Sequence, residues 1–249
     1  MNSEPFATAL DRYLPVLAGS PEAERLRAVA LTGLAGLLDY TGRVVRALVE
    51  AGRVEARRDT SVSIGLGGRA SLLFRALLRS PEDTERILRF FTDATGEAMP
   101  RANLVFSTEP KEEVAYGLVR DDASLLGRVA ADPLLGEAVL SGTTRVPAMA
   151  RVATLAMGEP CRIDQAPEFR RFLERLPSLG IWAVTPEAVI GNLIGEANTE
   201  LQRAQAAALA NAQGDGLVED TSTIEPPFVV LLRRFVRRLA IDDAPLRLP

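Results

Sequence analysis

The sequence predicts an α/β fold in which helix predominates. Three observations carry that expectation. Two short apolar runs, Val62–Leu66 and Ala102–Ser107, read as strands, with helical periodicity before and between them. The first run ends in the pair Gly67-Gly68 and passes straight into an amphipathic stretch, Ala70–Leu78. Strand, glycine and helix in that order are how α/β proteins bring backbone close to a nucleotide. The rest of the chain is dominated by apolar residues at three- and four-residue spacing, so helices outnumber strands. Strands that alternate with helices form a parallel or mixed sheet.

The elements follow in order. Residues 5–18 predict a short helix with Pro15 as a kink. Ser20 is an N-cap with Pro21 at the first helical position. Leu26, Val29, Leu34, Leu37, Leu38, Val44, Val45 and Leu48 then carry one helix to about Ala51. Gly33, Gly36 and Gly42 on that helix permit close packing against another element, and Gly52 closes it. After the first strand and its helix, Ser80 caps a further helix with Glu82, Asp83 and Glu85 in its first turn. The second strand leads into a helix at Pro110–Val119. Asp121–Gly158 has many Gly and Pro punctuators and weak periodicity, and Val146–Met157 reads equally as strand or helix. Ala166–Leu176 is helical, Gly180–Val184 is a candidate strand, and helices are expected at Pro186–Gln213 and Glu225–Ala240.

With 249 residues, 47% apolar and 25% charged, the chain can bury a real core in one large domain or two modest ones. A formal net charge of −4 gives no reason to expect nucleic acid as a partner. The single Cys161 excludes an internal disulfide and fits a reducing, cytoplasmic compartment. No signal-peptide pattern opens the sequence, and the longest apolar run, Ala28–Leu38, is too short to span a bilayer. The chain contains no histidine. That removes Ser-His-Asp and Cys-His catalysis and His-ligated zinc, and one cysteine removes a Cys-rich metal site.

In the stretch SIGLGGRAS, the glycine pair lets the backbone turn sharply and lets a flat ligand lie against it. The following helix points its open N–H groups to the same place. Arg69 is a candidate to stack on a base or reach a phosphate, and Ser71 to bond a sugar hydroxyl. The plainer alternative is a tight strand-to-helix turn, since the stretch is neither G-x-G-x-x-G nor a Walker A loop. Downstream, the second strand runs into Pro110-Lys111-Glu112-Glu113-Val114-Ala115-Tyr116-Gly117.

Taken together these two segments resemble the C-terminal lobe of the actin-like ATPase superfamily of actins, heat-shock chaperone ATPases and sugar kinases. In that superfamily an apolar strand ending in Gly-Gly and a small residue is the adenosine motif, which Gly67, Gly68 and Ser71 match. A helix of the form Pro-x-Glu-x-Val-Ala-x-Gly is the second connect motif at the hinge between lobes. Glu113, Val114, Ala115 and Gly117 match it, after a gap somewhat longer than usual. The resemblance covers roughly residues 21–119. It implies a partial actin-like, ribonuclease H-like lobe over 1–119 with a mainly helical extension over 120–249. It also implies ATP or ADP with Mg²⁺ as cofactor, Gly67, Gly68, Arg69 and Ser71 at the nucleotide, and Glu113, Ala115 and Gly117 at the hinge.

The chain departs from that pattern upstream. The superfamily holds phosphate and metal on two Asp-x-Gly hairpins, and Asp11, Asp39 and Asp59 stand in no such context. Because phosphoryl transfer is mostly positioning and charge neutralisation, the resemblance implies a lobe that does not hydrolyse ATP alone. Its sheet would be incomplete, inviting another polypeptide or a second copy to complete sheet or cleft. Two functions follow: the adenosine-side lobe of an ATPase, or a non-catalytic interaction module that keeps the lobe.

Other residue groups have plainer readings. Glu112 and Glu113 suit the first turn of a helix better than acid–base catalysis. Arg233-Arg234 and Arg237-Arg238 read as a solvated face, or alternatively as a surface for an acidic partner or anionic lipid. The stripe opposite, Phe228, Val229, Leu232, Phe235, Val236 and Leu239, is core or a docking face. Trp182 and Tyr40 read as core aromatics, and nothing supports a reactive thiol at Cys161.

Overall fold

The computed structural model describes residues 20–107, 136–140, 144–147, 162–180, 186–212 and 226–241. The expected helices at 5–18 and 110–119 lie outside them, as do Cys161 and Trp182. The fold is α/β and mostly helical. The chain divides into two compact units, Met1–Ala131 and Asp132–Pro249.

In the first unit, helix α1 runs from Pro21 to Glu50. Ser20 starts it: its hydroxyl oxygen accepts the Ala23 N–H at 3.1 Å. The end is a Schellman turn. Gly52 takes φ +66°, and the Gly52 and Arg53 amides donate to the Val49 and Leu48 carbonyls at 2.9 and 2.8 Å. Strand β1 (Val62–Leu66) leads to helix α2 (Gly68–Leu77), then α3 (Pro81–Thr95) and strand β2 (Ala102–Phe106). Helix α2 begins two residues earlier than the sequence suggests, because Gly68 enters its first turn.

β1 and β2 pair in parallel, Val62 opposite Ala102 through Leu66 opposite Phe106. Every second side chain is half-buried and the alternate ones, Ser63, Gly65, Asn103 and Val105, are exposed. The core lies between α1 and α3. Leu31, Leu34, Ala35 and Leu38 meet Ile87, Phe90, Phe91 and Ala94 there, all of them buried. Gly42 is needed at that contact. A Cβ on it would sit 2.6 Å from the Phe91 carbonyl oxygen and 2.8 Å from the Ala94 Cβ. Arg27 ties the helices together, donating to the Leu77 carbonyl at 3.0 Å and pairing with Asp83 at 2.8 Å. Asp83 also accepts the Arg79 amide at 3.0 Å.

The described residues of the second unit are mostly helical, with a small sheet beside the helices. The sheet is three-stranded and antiparallel in the order β4-β3-β5, from β3 (Gly136–Leu140), β4 (Thr144–Pro147) and β5 (Ile163–Gln165). Among the described residues three α-helices accompany it: α4 (Pro167–Arg175), α5 (Pro186–Ala212) and α6 (Pro227–Ile241). Gly180 ends the turn after α4 at φ +68°, and 181–184 of the candidate strand lie outside the described residues. Of the apolar stripe of α6, Phe228, Leu232, Phe235 and Leu239 are core, while Val229 and Val236 are half-buried. Phe228 meets Phe169 and Phe172 edge-on at 5.5 and 5.7 Å, and Phe235 meets Phe169 at 6.1 Å. Val230 and Leu231 are buried with them. Asn198 of α5 pairs with β5 as a strand would, accepting the Ile163 N–H at 2.6 Å and donating to the Ile163 carbonyl at 3.0 Å.

Candidate functional site

The turn from β1 into α2 sits at the carboxyl ends of the two parallel strands, where open α/β sheets place their ligands. The two glycines differ in what they do. Gly67 is exposed and extended, at φ −100° and ψ 173°, and is the N-cap of α2. Gly68 takes φ +55°, a conformation that L side chains rarely adopt. The first intrahelical bond is the Ser71 N–H to the Gly67 carbonyl, at 3.3 Å. The turn forms the positive end of the helix, and Gly67 at the N-cap has no side chain to bond its first-turn amides.

Ser107 locks the turn to β2. Its N–H donates to the Leu66 carbonyl at 3.1 Å, extending the parallel ladder by one residue. Its carbonyl accepts two bonds from α2, from the Ser71 hydroxyl at 3.1 Å and the Arg75 guanidinium at 3.0 Å. The Arg75 guanidinium also lies over the Phe106 ring, 5.8 Å from its centre. Ser71 is fully buried, so its hydroxyl is committed to the strand ends in this structure rather than presented to a ligand. Arg75 and Ser107 are the partners that sequence reasoning passed over. The i, i+4 spacing of Ser71 and Arg75 was the available signal for Arg75.

The structure places Gly67 and Gly68 together at this turn. The Arg69 side chain and the expected hinge residues Glu113, Ala115 and Gly117 lie outside what is described. Among the described residues, no group of three or more Asp, Glu or Cys side chains is placed to hold a metal ion. Chemically, the turn offers an exposed Gly67 and the positive end of a helix, suited to a flat ring or an anionic group rather than to bond-breaking.

The second unit carries a separate electrostatic feature. Glu196 and Glu200 on α5 face the arginine pairs of α6. Arg234 donates to Glu200 at 2.9 Å and to Glu196 at 3.3 Å, and Arg233 pairs with Glu200. The arginines expected as a solvated face therefore partly bridge two helices.

No family model, no curated protein and no solved structure matches this chain. Among the described residues, no helix is long and apolar enough to cross a membrane.

Proposed function

We propose that this chain is the adenosine-side, nucleotide-binding lobe of an actin-like ATPase, incomplete for hydrolysis by itself. The observation that carries the reading is the β1–α2 turn, with Gly68 at φ +55° and Gly67 exposed as the N-cap of a helix that starts beside a parallel strand. In this reading Gly67 and Gly68 let the adenosine lie against backbone. The first-turn amides of α2 face the ligand, and Arg69 adds a cation. Mg²⁺ and the phosphates are held mainly by the absent half, and Glu113, Ala115 and Gly117 lie on the hinge helix. Ser71 supports the site indirectly, by fixing α2 to Ser107.

A second reading, a non-catalytic interaction module that keeps the lobe, is favoured by that same Ser71 geometry. A hydroxyl engaged with backbone leaves one fewer group for a sugar. Titrating adenosine and ADP separately into the chain tests the first reading. It predicts heat of binding and a raised melting temperature with both ligands. Silence with both would overturn it in favour of the interaction module.

A further inference from the structure

Arg233, Arg234, Arg237 and Arg238 line one groove together with Glu196, Glu200 and Ile241, and its volume is about 670 Å³. That size lies within the range of small-ligand sites. Among the residues lining it, four guanidinium groups stand beside two carboxylates, on a chain whose formal charge is −4. The spacing sets Arg233 above Arg237 and Arg234 above Arg238, two like-charged i, i+4 pairs side by side. Such pairs weaken a helix rather than support it. Glu196 and Glu200 offset part of that repulsion by holding Arg233 and Arg234. Arg237 is exposed and makes no ion pair among the described residues.

We propose that this groove binds a phosphate-bearing anion. The carboxylates already present decide between anion classes. A carboxylate ligand would bring the same charge and geometry as Glu196 and Glu200 and only compete with them. A phosphate monoester brings about −1.5 to −2 charges and three acceptor oxygens. It can engage Arg237 while sharing the forks of the neighbouring arginines. Every cation in the groove is Arg, whose planar fork meets phosphate through two parallel bonds. Ile241, 65% exposed at the same groove, offers an apolar lip to the carbon part of such a ligand. The groove belongs to the second unit, and the inference stands apart from the nucleotide reading.

The test uses the full chain and sodium tripolyphosphate, which carries no base. Calorimetry should show binding that weakens as salt rises. Arg237→Gln should cut affinity at least tenfold with the melting temperature unchanged. Glu196→Gln removes a competing carboxylate and should tighten binding severalfold, a direction that a purely structural ion pair does not predict. Phosphatidic-acid vesicles form a parallel arm. Binding to tripolyphosphate alone identifies a soluble ligand, and vesicle binding lost in Arg237→Gln identifies a lipid headgroup. Absence of binding in both arms, equal affinity in Arg237→Gln, or preference for a poly-glutamate peptide would overturn the proposal.

Discussion

Glycine does different jobs at three positions, and only the surroundings tell them apart. Gly42 is a close-contact residue: the Phe91 carbonyl and Ala94 occupy the space a Cβ would need. Backbone cannot step aside as a flexible side chain can, so Gly42→Ala should destabilise the first unit by about 1–3 kcal/mol. Urea denaturation would read this as a lower midpoint at unchanged slope, and a loss below about 0.5 kcal/mol would mean that α1 and α3 can separate freely. Gly68 is a conformational residue, set by its positive φ. Gly67 is neither: its extended backbone suits any residue and it is exposed. A glycine there has no conformational reason, and for that reason it weighs most in the functional reading.

At the scale of elements, Asn198 shows how a helix can finish a sheet. Its amide supplies one donor and one acceptor to the Ile163 backbone, replacing the neighbour that an edge strand lacks. Asn198→Ala leaves a buried backbone pair unpartnered and should cost about 2 kcal/mol. A thermal melt should show a clear drop, and an unchanged melting temperature would contradict the role. The same elements show what can be read from sequence. Ser20 and Ser80 cap α1 and α3 as expected, because capping is local chemistry between a hydroxyl and an amide three residues on. The parallel pairing of β1 and β2 follows from their apolar runs and the helices between them. Strands β3, β4 and β5 were not legible. They span five, four and three residues without alternation, and β5 depends on Asn198, which lies 35 positions away. A pattern set by a distant partner leaves little local signal.

Across the whole molecule, the two units offer different chemistry. The first presents an exposed glycine and a helix start at the ends of parallel strands. The second presents concentrated positive charge between two helices. The glycine turn was visible in sequence because its residues are contiguous. The arginine groove was half visible: the α6 pairs stood out, but the Glu196–Glu200 partners needed the fold to bring α5 alongside. The turn's lock was hidden for the same reason, since Ser71 and Arg75 meet Ser107 only after β1 and β2 pair.

The claim that the glycine turn is a ligand site is tested most directly by titrating ADP into Gly67→Asp beside the unaltered chain. Gly67 already holds the extended N-cap geometry, so an aspartate adopts it without backbone strain. Its carboxylate would bond the first-turn amides and complement the helix dipole. The melting temperature should therefore hold or rise, while ADP affinity falls at least tenfold because the side chain occupies the ligand's donors. Equal ADP affinity in Gly67→Asp and the unaltered chain would contradict the account.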